Sequence, residues 1–202
     1  SVTSMAADIS QDIDAPQGFE SSFKYETSSA RTGTSADEYT GIAYYAEIQD
    51  VIPYFWAGNS HVTASFWVKS SIAGDFAFNI NVDETNSGYS GDRVLYHSLY
   101  TINAVNTWEY KTVTIPLSFL DSYALLSGYA GVSRGLEVTW VVDISSGGTR
   151  DDATLGWNNT EARNFATSSG GGADTGFFDT VGATFQITGV QLEVGDTATP
   201  FE

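Results

Sequence analysis

Two neighbouring stretches of this chain alternate with a strict period of two, and no helix can present such a pattern to a core. In the first, Val62, Ala64, Phe66 and Val68 share one face, and Thr63, Ser65, Trp67 and Lys69 share the other. In the second, Phe76, Phe78, Ile80 and Val82 are apolar, which leaves Ala77, Asn79 and Asn81 on the opposite, outer face. Leu136, Val138, Trp140, Val142 and Ile144 repeat the pattern further on. The runs read as strands are Phe23–Thr27, Thr40–Ile48, Val62–Lys69, Asp75–Val82, Val94–Ile102, Glu109–Ile115, Leu136–Ile144 and Thr184–Val194, with a lead strand in Met5–Ile13. Gly, Ser, Asn and Asp separate them. A helical turn or two over Leu117–Leu126 is the nearest approach to a 3.6 period. The fold class that follows is all-β, an antiparallel β-sandwich of about 8–9 strands with little helix, since a parallel sheet would need crossover helices.

The last strand breaks its own parity. Phe185 and Ile187 are odd, whereas Val190, Leu192 and Val194 are even. A β-bulge at Thr188-Gly189, with Gly189 in a conformation other residues avoid, would restore the apolar face. Gly147–Asp179 has no strand character and reads as one long loop, with apolar anchors at Leu155, Trp157 and Phe165. Val51–Ser60 reads as a loop and not a boundary, so residues 1–202 are expected to form a single domain.

Composition removes whole classes of chemistry. With no cysteine there are no disulfides, thiolate metal sites or cysteine nucleophiles. The net charge of −17 and the scattered Lys24, Lys69 and Lys111 argue against nucleic acid, which needs clustered cations. No apolar run is long enough for insertion into a membrane. His61 and His97 are the two histidines; one begins a strand and the other lies within one, and no Ser-His-Asp spacing singles them out. Carboxylates are too numerous to mark a glycosidase pair, so no catalytic residue is assigned and a non-enzyme is expected. Asp8, Asp12 and Asp14 lie close together and are the residues that would hold a structural Ca2+; the plainer alternative is a solvated acidic surface.

The remaining candidates are aromatic. A sugar ring stacks on a flat aromatic face while amides and carboxylates fix its hydroxyls. Trp67 faces away from the core beside Asn79 and Asn81 of the following strand. Tyr54, Trp56 and Trp157 lie in loops, and Tyr96 shares a strand face with Tyr100. Trp140 reads as core and Trp108 as packing at a strand start. The alternative for Trp67, Trp56 and Trp157 is packing under loops or in a subunit interface.

The closing string Ile187-Thr-Gly-Val-Gln-Leu-Glu-Val-Gly-Asp-Thr-Ala-Thr-Pro-Phe-Glu202 resembles the final strand of a domain near the C-termini of tail-fibre and other virion proteins, mainly of marine bacteriophages. Tyr54–Ser70, ending in Ser-Phe-Trp-Val-Lys-Ser, and Tyr100–Pro116, with Asn-Thr-Trp-Glu-Tyr-Lys-Thr, are similar to two further blocks of that family. Gly156-Trp157 with Arg163 matches a later loop motif only in part, since the text here is Arg163-Asn-Phe-Ala. The resemblance runs from about Ala15 to Glu202. It implies a jelly-roll related to carbohydrate-binding modules, a glycan ligand, other virion proteins as partners and a homotrimer. It places the chain in the virion, made in the bacterial host cytoplasm, as a fragment of a longer protein. The alternatives it leaves are a structural head-decoration or fibre domain and a carbohydrate-binding module of a secreted polysaccharide-degrading enzyme.

Overall fold

The computed structural model describes residues 6–31, 39–47, 50, 55, 58–83, 93–122, 134–144, 155–159 and 175–201. Its strands are β1 (Ala6–Asp12), β2 (Ser22–Ser29), β3 (Tyr39–Glu47), β4 (His61–Ser70), β5 (Gly74–Asp83), β6 (Arg93–Ile102), β7 (Glu109–Pro116), β8 (Arg134–Ile144), β9 (Gly156–Asn159) and β10 (Thr184–Val194). The first sheet runs β1-β2-β10-β4-β7 and the second β3-β8-β5-β6-β9. Every pairing is antiparallel. Without the edge additions β1 and β9, the remaining strands lie first-eighth-third-sixth in one sheet and second-seventh-fourth-fifth in the other. That order is a jelly roll.

The inward faces meet in a single core. Val62, Ala64, Phe66 and Val68 of β4 and Phe76, Phe78, Ile80 and Val82 of β5 are buried there, as the alternation requires. Phe66 anchors it, edge-on to Tyr100 and Trp140 with ring centroids 5.1 and 5.7 Å away. The helical turn expected over Leu117–Leu126 is a short 3-10 segment, Ser118–Ser122, within the described part.

Three sequence expectations need correcting. The Gly147–Asp179 segment is not loop throughout, because Gly156–Asn159 forms β9 and pairs with β6. Four residues are too few to show a period. Ala77, Asn79 and Asn81 do point away from the shared core, but they are 0%, 3% and 6% exposed and so are buried. Ile144 does not join the shared core. The register slips between Thr40 and Gly41, which pair with Asp143 and Val141 and leave Val142 unmatched. Beyond that slip Ile144 packs with Ala77 and Val141 in a second apolar cluster on the other face. Asp143 is buried instead, and its carboxylate accepts from the backbone N–H groups of Thr175 and Phe178.

The bulge in β10 is where parity placed it. Ile187 and Thr188 pair with Val68 and Trp67, and pairing resumes at Gln191 with Ser65. Gly189 sits at φ +59°, a left-handed conformation that a Cβ disfavours. After the strand the chain turns back over the outer face of the first sheet. Thr63 and Thr114 hydroxyls donate to the carbonyls of Gly195 and Asp196, and Glu193 accepts from the Thr199 N–H and hydroxyl. Phe201 then packs edge-on against Phe19 at 5.1 Å. The closing string is thus a strand with its own clamp.

Candidate binding site at the β3 edge

β2 pairs with β10 only over Thr184–Ile187. Past the bulge, among the described residues, the first sheet has no strand opposite β3, and the gap between the sheets stays unfilled. A pocket of about 460 Å³ opens there, lined by Tyr44, Ala46, Asp50, Leu136, Trp140 and Val190 among others. This falls within the size range of small-ligand sites. Tyr44 is 63% exposed at the rim, whereas Trp140 is buried. The indole Nε1 of Trp140 has no hydrogen-bond partner, a costly state for a buried donor. Asp50 supplies a carboxylate. Gln191 also lines the pocket, and its amide donates to the Thr199 hydroxyl.

On the opposite face of the same two strands lies a polar group. Tyr45, Glu137 and Asn81 are direct cross-strand neighbours on β3, β8 and β5. The Tyr45 hydroxyl donates to Glu137 Oε1 at 3.2 Å, and Asn81 Nδ2 donates to Oε2 at 3.3 Å. Asn81 Oδ1 has no partner. The next row joins Thr139, Asn79 and His97. Burial holds the His97 imidazole down to about 4, so the ring is neutral near pH 7. Its Nδ1 lies 3.1 Å from Asn79 Oδ1, which can only accept, so the single proton sits on Nδ1. His97 Nε2 is then a bare acceptor, and it and Asn79 Nδ2 are both unpartnered.

The residues singled out from the sequence do not converge. Trp67 is on the outer face of the first sheet, whereas Asn79 and Asn81 are on the outer face of the second; β4 and β5 are consecutive in sequence but lie in opposite sheets. Trp67 is partly buried, 5.4 Å from the Tyr110 ring and close to Gly189. Trp157 and Tyr96 do meet, with centroids 5.3 Å apart, and Trp157 stacks on Phe119 at 5.8 Å. They join the sheets: Trp157 Nε1 donates to the Pro116 carbonyl and the Tyr96 hydroxyl to that of Thr114, both on β7. Tyr54 and Trp56 lie outside the described residues. Asp12 and Asp14 are each engaged by a lysine, Lys24 and Lys69 respectively, and Asp14 also accepts from Trp108 Nε1. Asp8 pairs across β1 and β2 with Glu26. Among the described residues no group of three or more acidic or histidine side chains could hold a metal ion.

Sequence reasoning missed Tyr44, Tyr45, Asp50 and Glu137. The Tyr44-Tyr45 pair on an expected strand was the available signal, because one of two adjacent strand residues must face outward.

No protein-family model matches this chain, and no curated protein matches it. Several solved structures are similar in shape. The enzymatically active domain of bacteriophage CBA120 tailspike protein 4 is 10% identical with a TM-score of 0.43; the match covers 96% of this chain and 19% of that one. A family 11 carbohydrate-binding module of the cellulosomal cellulase Lic26A-Cel5E of Clostridium thermocellum is 14% identical over 96% of this chain and 85% of its own, with a TM-score of 0.44. A family 30 carbohydrate-binding module is 10% identical over 95% and 76%, with a TM-score of 0.45. The chain therefore spans less than a fifth of the length of the tailspike domain.

Proposed function

We propose that this chain is a non-catalytic module of a phage virion protein, of the tail-fibre type, that binds host-surface or environmental glycans at the β3 edge. The observation that carries this reading is the open pocket walled by Tyr44 and Trp140, with Asp50 in its lining. An exposed ring offers a stacking face, an unpartnered indole N–H offers a donor, and a carboxylate accepts from sugar hydroxyls. The resemblance of the closing string supports the virion setting. Each site is weak alone, and several copies on one fibre would add avidity.

The test is a glycan array on the purified chain with Tyr44→Ala and Asp50→Ala. Both side chains are exposed, so the fold should survive. Retention should fall by roughly tenfold or more, which corresponds to about 1.4 kcal/mol. Full retention in both variants removes the site.

A second reading, a domain built for subunit contact, is favoured by the β1 edge. Ile9 and Ile13 are 65% and 92% exposed there. Light scattering would decide it: a trimer that Ile9→Asp with Ile13→Asp dissolves supports contact, and an unchanged mass refutes it.

A further inference from the structure

We infer that the pocket at the β3 edge takes sugars bearing an acetyl group, with the acetyl carbonyl set against the Trp140 indole N–H and its methyl against the aliphatic floor. The inference rests on the glycan reading above and names the substituent that the pocket selects.

Burial sorts the pocket lining by depth. Ala64, Leu136, Val138 and Trp140 are buried and form its floor. Ala46 and Leu192 are partly buried against the same core and carry the walls outward. Tyr44, Asp50 and Val190 are exposed at the rim. The pairing of β3 with β8 produces this gradient, since Tyr44 and Ala46 lie opposite Val138 and Leu136 and share their face. The aromatic ring and the carboxylate therefore stand at the mouth, and the depth is aliphatic. A volume of about 460 Å³ has room for one substituted sugar ring.

On the floor, the one side-chain polar atom among the described residues is Trp140 Nε1, and it has no partner. Three kinds of sugar substituent meet that floor differently. A hydroxyl can accept from the indole but brings its own O–H, and the aliphatic side chains beside it offer that donor nothing, so its desolvation goes unanswered. A bare methyl, as in a 6-deoxy sugar, suits the aliphatic walls and leaves the indole N–H without an acceptor. An acetyl group carries a carbonyl that only accepts, next to a methyl that needs only apolar neighbours. It answers the lone donor and the carbon around it together. The ring left at the mouth then meets the Tyr44 face and the Asp50 carboxylate.

The experiment titrates neutral ligands that differ in the substituent. Chitotriose is set against cellotriose, O-acetylated glucomannan oligosaccharides against the same material after alkaline deacetylation, and L-fucose against L-galactose. The acetylated member of at least one of the first two pairs should bind roughly tenfold more tightly or better. Saturation-transfer NMR on the parent chain should find the acetyl methyl closer to the protein than the ring protons. Trp140→Phe removes the N–H and keeps a ring in the core, and Ala46→Leu fills the depth from the wall. Thermal melting checks that each is folded, and each should bring the ratio within a pair toward one. Equal or tighter binding of the unacetylated member in both pairs overturns the acetyl assignment and leaves the glycan reading standing. A preference for fucose alone, a methyl that receives no more saturation than the ring, or a ratio that neither folded variant lowers does the same. Retention of none of these ligands, nor of any glycan on the array, refutes the glycan reading and the inference with it.

Discussion

Replacing Gly189 with alanine isolates what the bulge in β10 holds in place. The residue sits at φ +59°, where a Cβ costs roughly 1–2 kcal/mol from backbone crowding alone. The new atom would also lie 2.5 and 2.8 Å from Cζ and Cε1 of Phe19 and 3.3 Å from Trp67 Cδ1. Real Cβ atoms do not approach so closely, so the Phe19 ring must move and give up its packing on Phe201. That displacement adds about 1 kcal/mol, for a total near 2–3 kcal/mol, or a fall in Tm of roughly 4–12 °C. Gly182→Ala is the control. Gly182 has φ +80° and nothing within 4 Å of an added Cβ, so it carries the backbone cost alone. Urea unfolding should show a lower midpoint for both variants with an unchanged slope, and a larger drop for Gly189→Ala. In a Phe19→Ala background the excess over the control should vanish. If Gly189→Ala costs no more than Gly182→Ala, or if the excess survives without the ring, the account of the bulge is wrong.

Other outcomes can be checked in the same way. Trp157→Phe keeps the stack on Phe119 but leaves the Pro116 carbonyl without its donor, so stability should drop by about 1–2 kcal/mol while glycan retention stays unchanged; lost binding in a folded variant would put Trp157 back in the site. His97 titrates at about 4 in the folded chain against 6.5 unfolded, so its neutral form costs nothing above pH 6.5, and stability is lost as pH falls from there toward 4, by up to about 3 kcal/mol. Chemical unfolding of His97→Gln across that window should be flatter than that of the parent; equal slopes would sink the assignment. Glu109 is held down to about 2; burial opposes that shift, and its hydrogen bonds to Lys111, Asn103 and Ala104 outweigh the burial. Its contribution is full above 4.5 and lost as pH falls toward 2, so Glu109→Gln should destabilise at pH 7 and make little difference at pH 2.

Much of the fold was legible because a sheet has a short and strict period. Alternation in Val62–Lys69 and Asp75–Val82 fixed which residues enter the core, and the parity slip between Ile187 and Val190 located a bulge that the register confirms. Antiparallel pairing followed from the lack of crossover helices. What periodicity could not supply was which sheet each strand joins. β4 and β5 are consecutive in the chain and lie in opposite sheets, so Trp67 and Asn79 point out of opposite sides of the molecule. Nor could it show that an outward face is buried, as at Asn79, Asn81 and His97, because burial depends on what the rest of the chain lays across a face. The pocket is the plainest case. It exists because β2 stops pairing where β10 bulges, and that gap belongs to no single segment. Local alternation decides a side chain's direction, whereas only the packing of distant strands decides what that side chain meets.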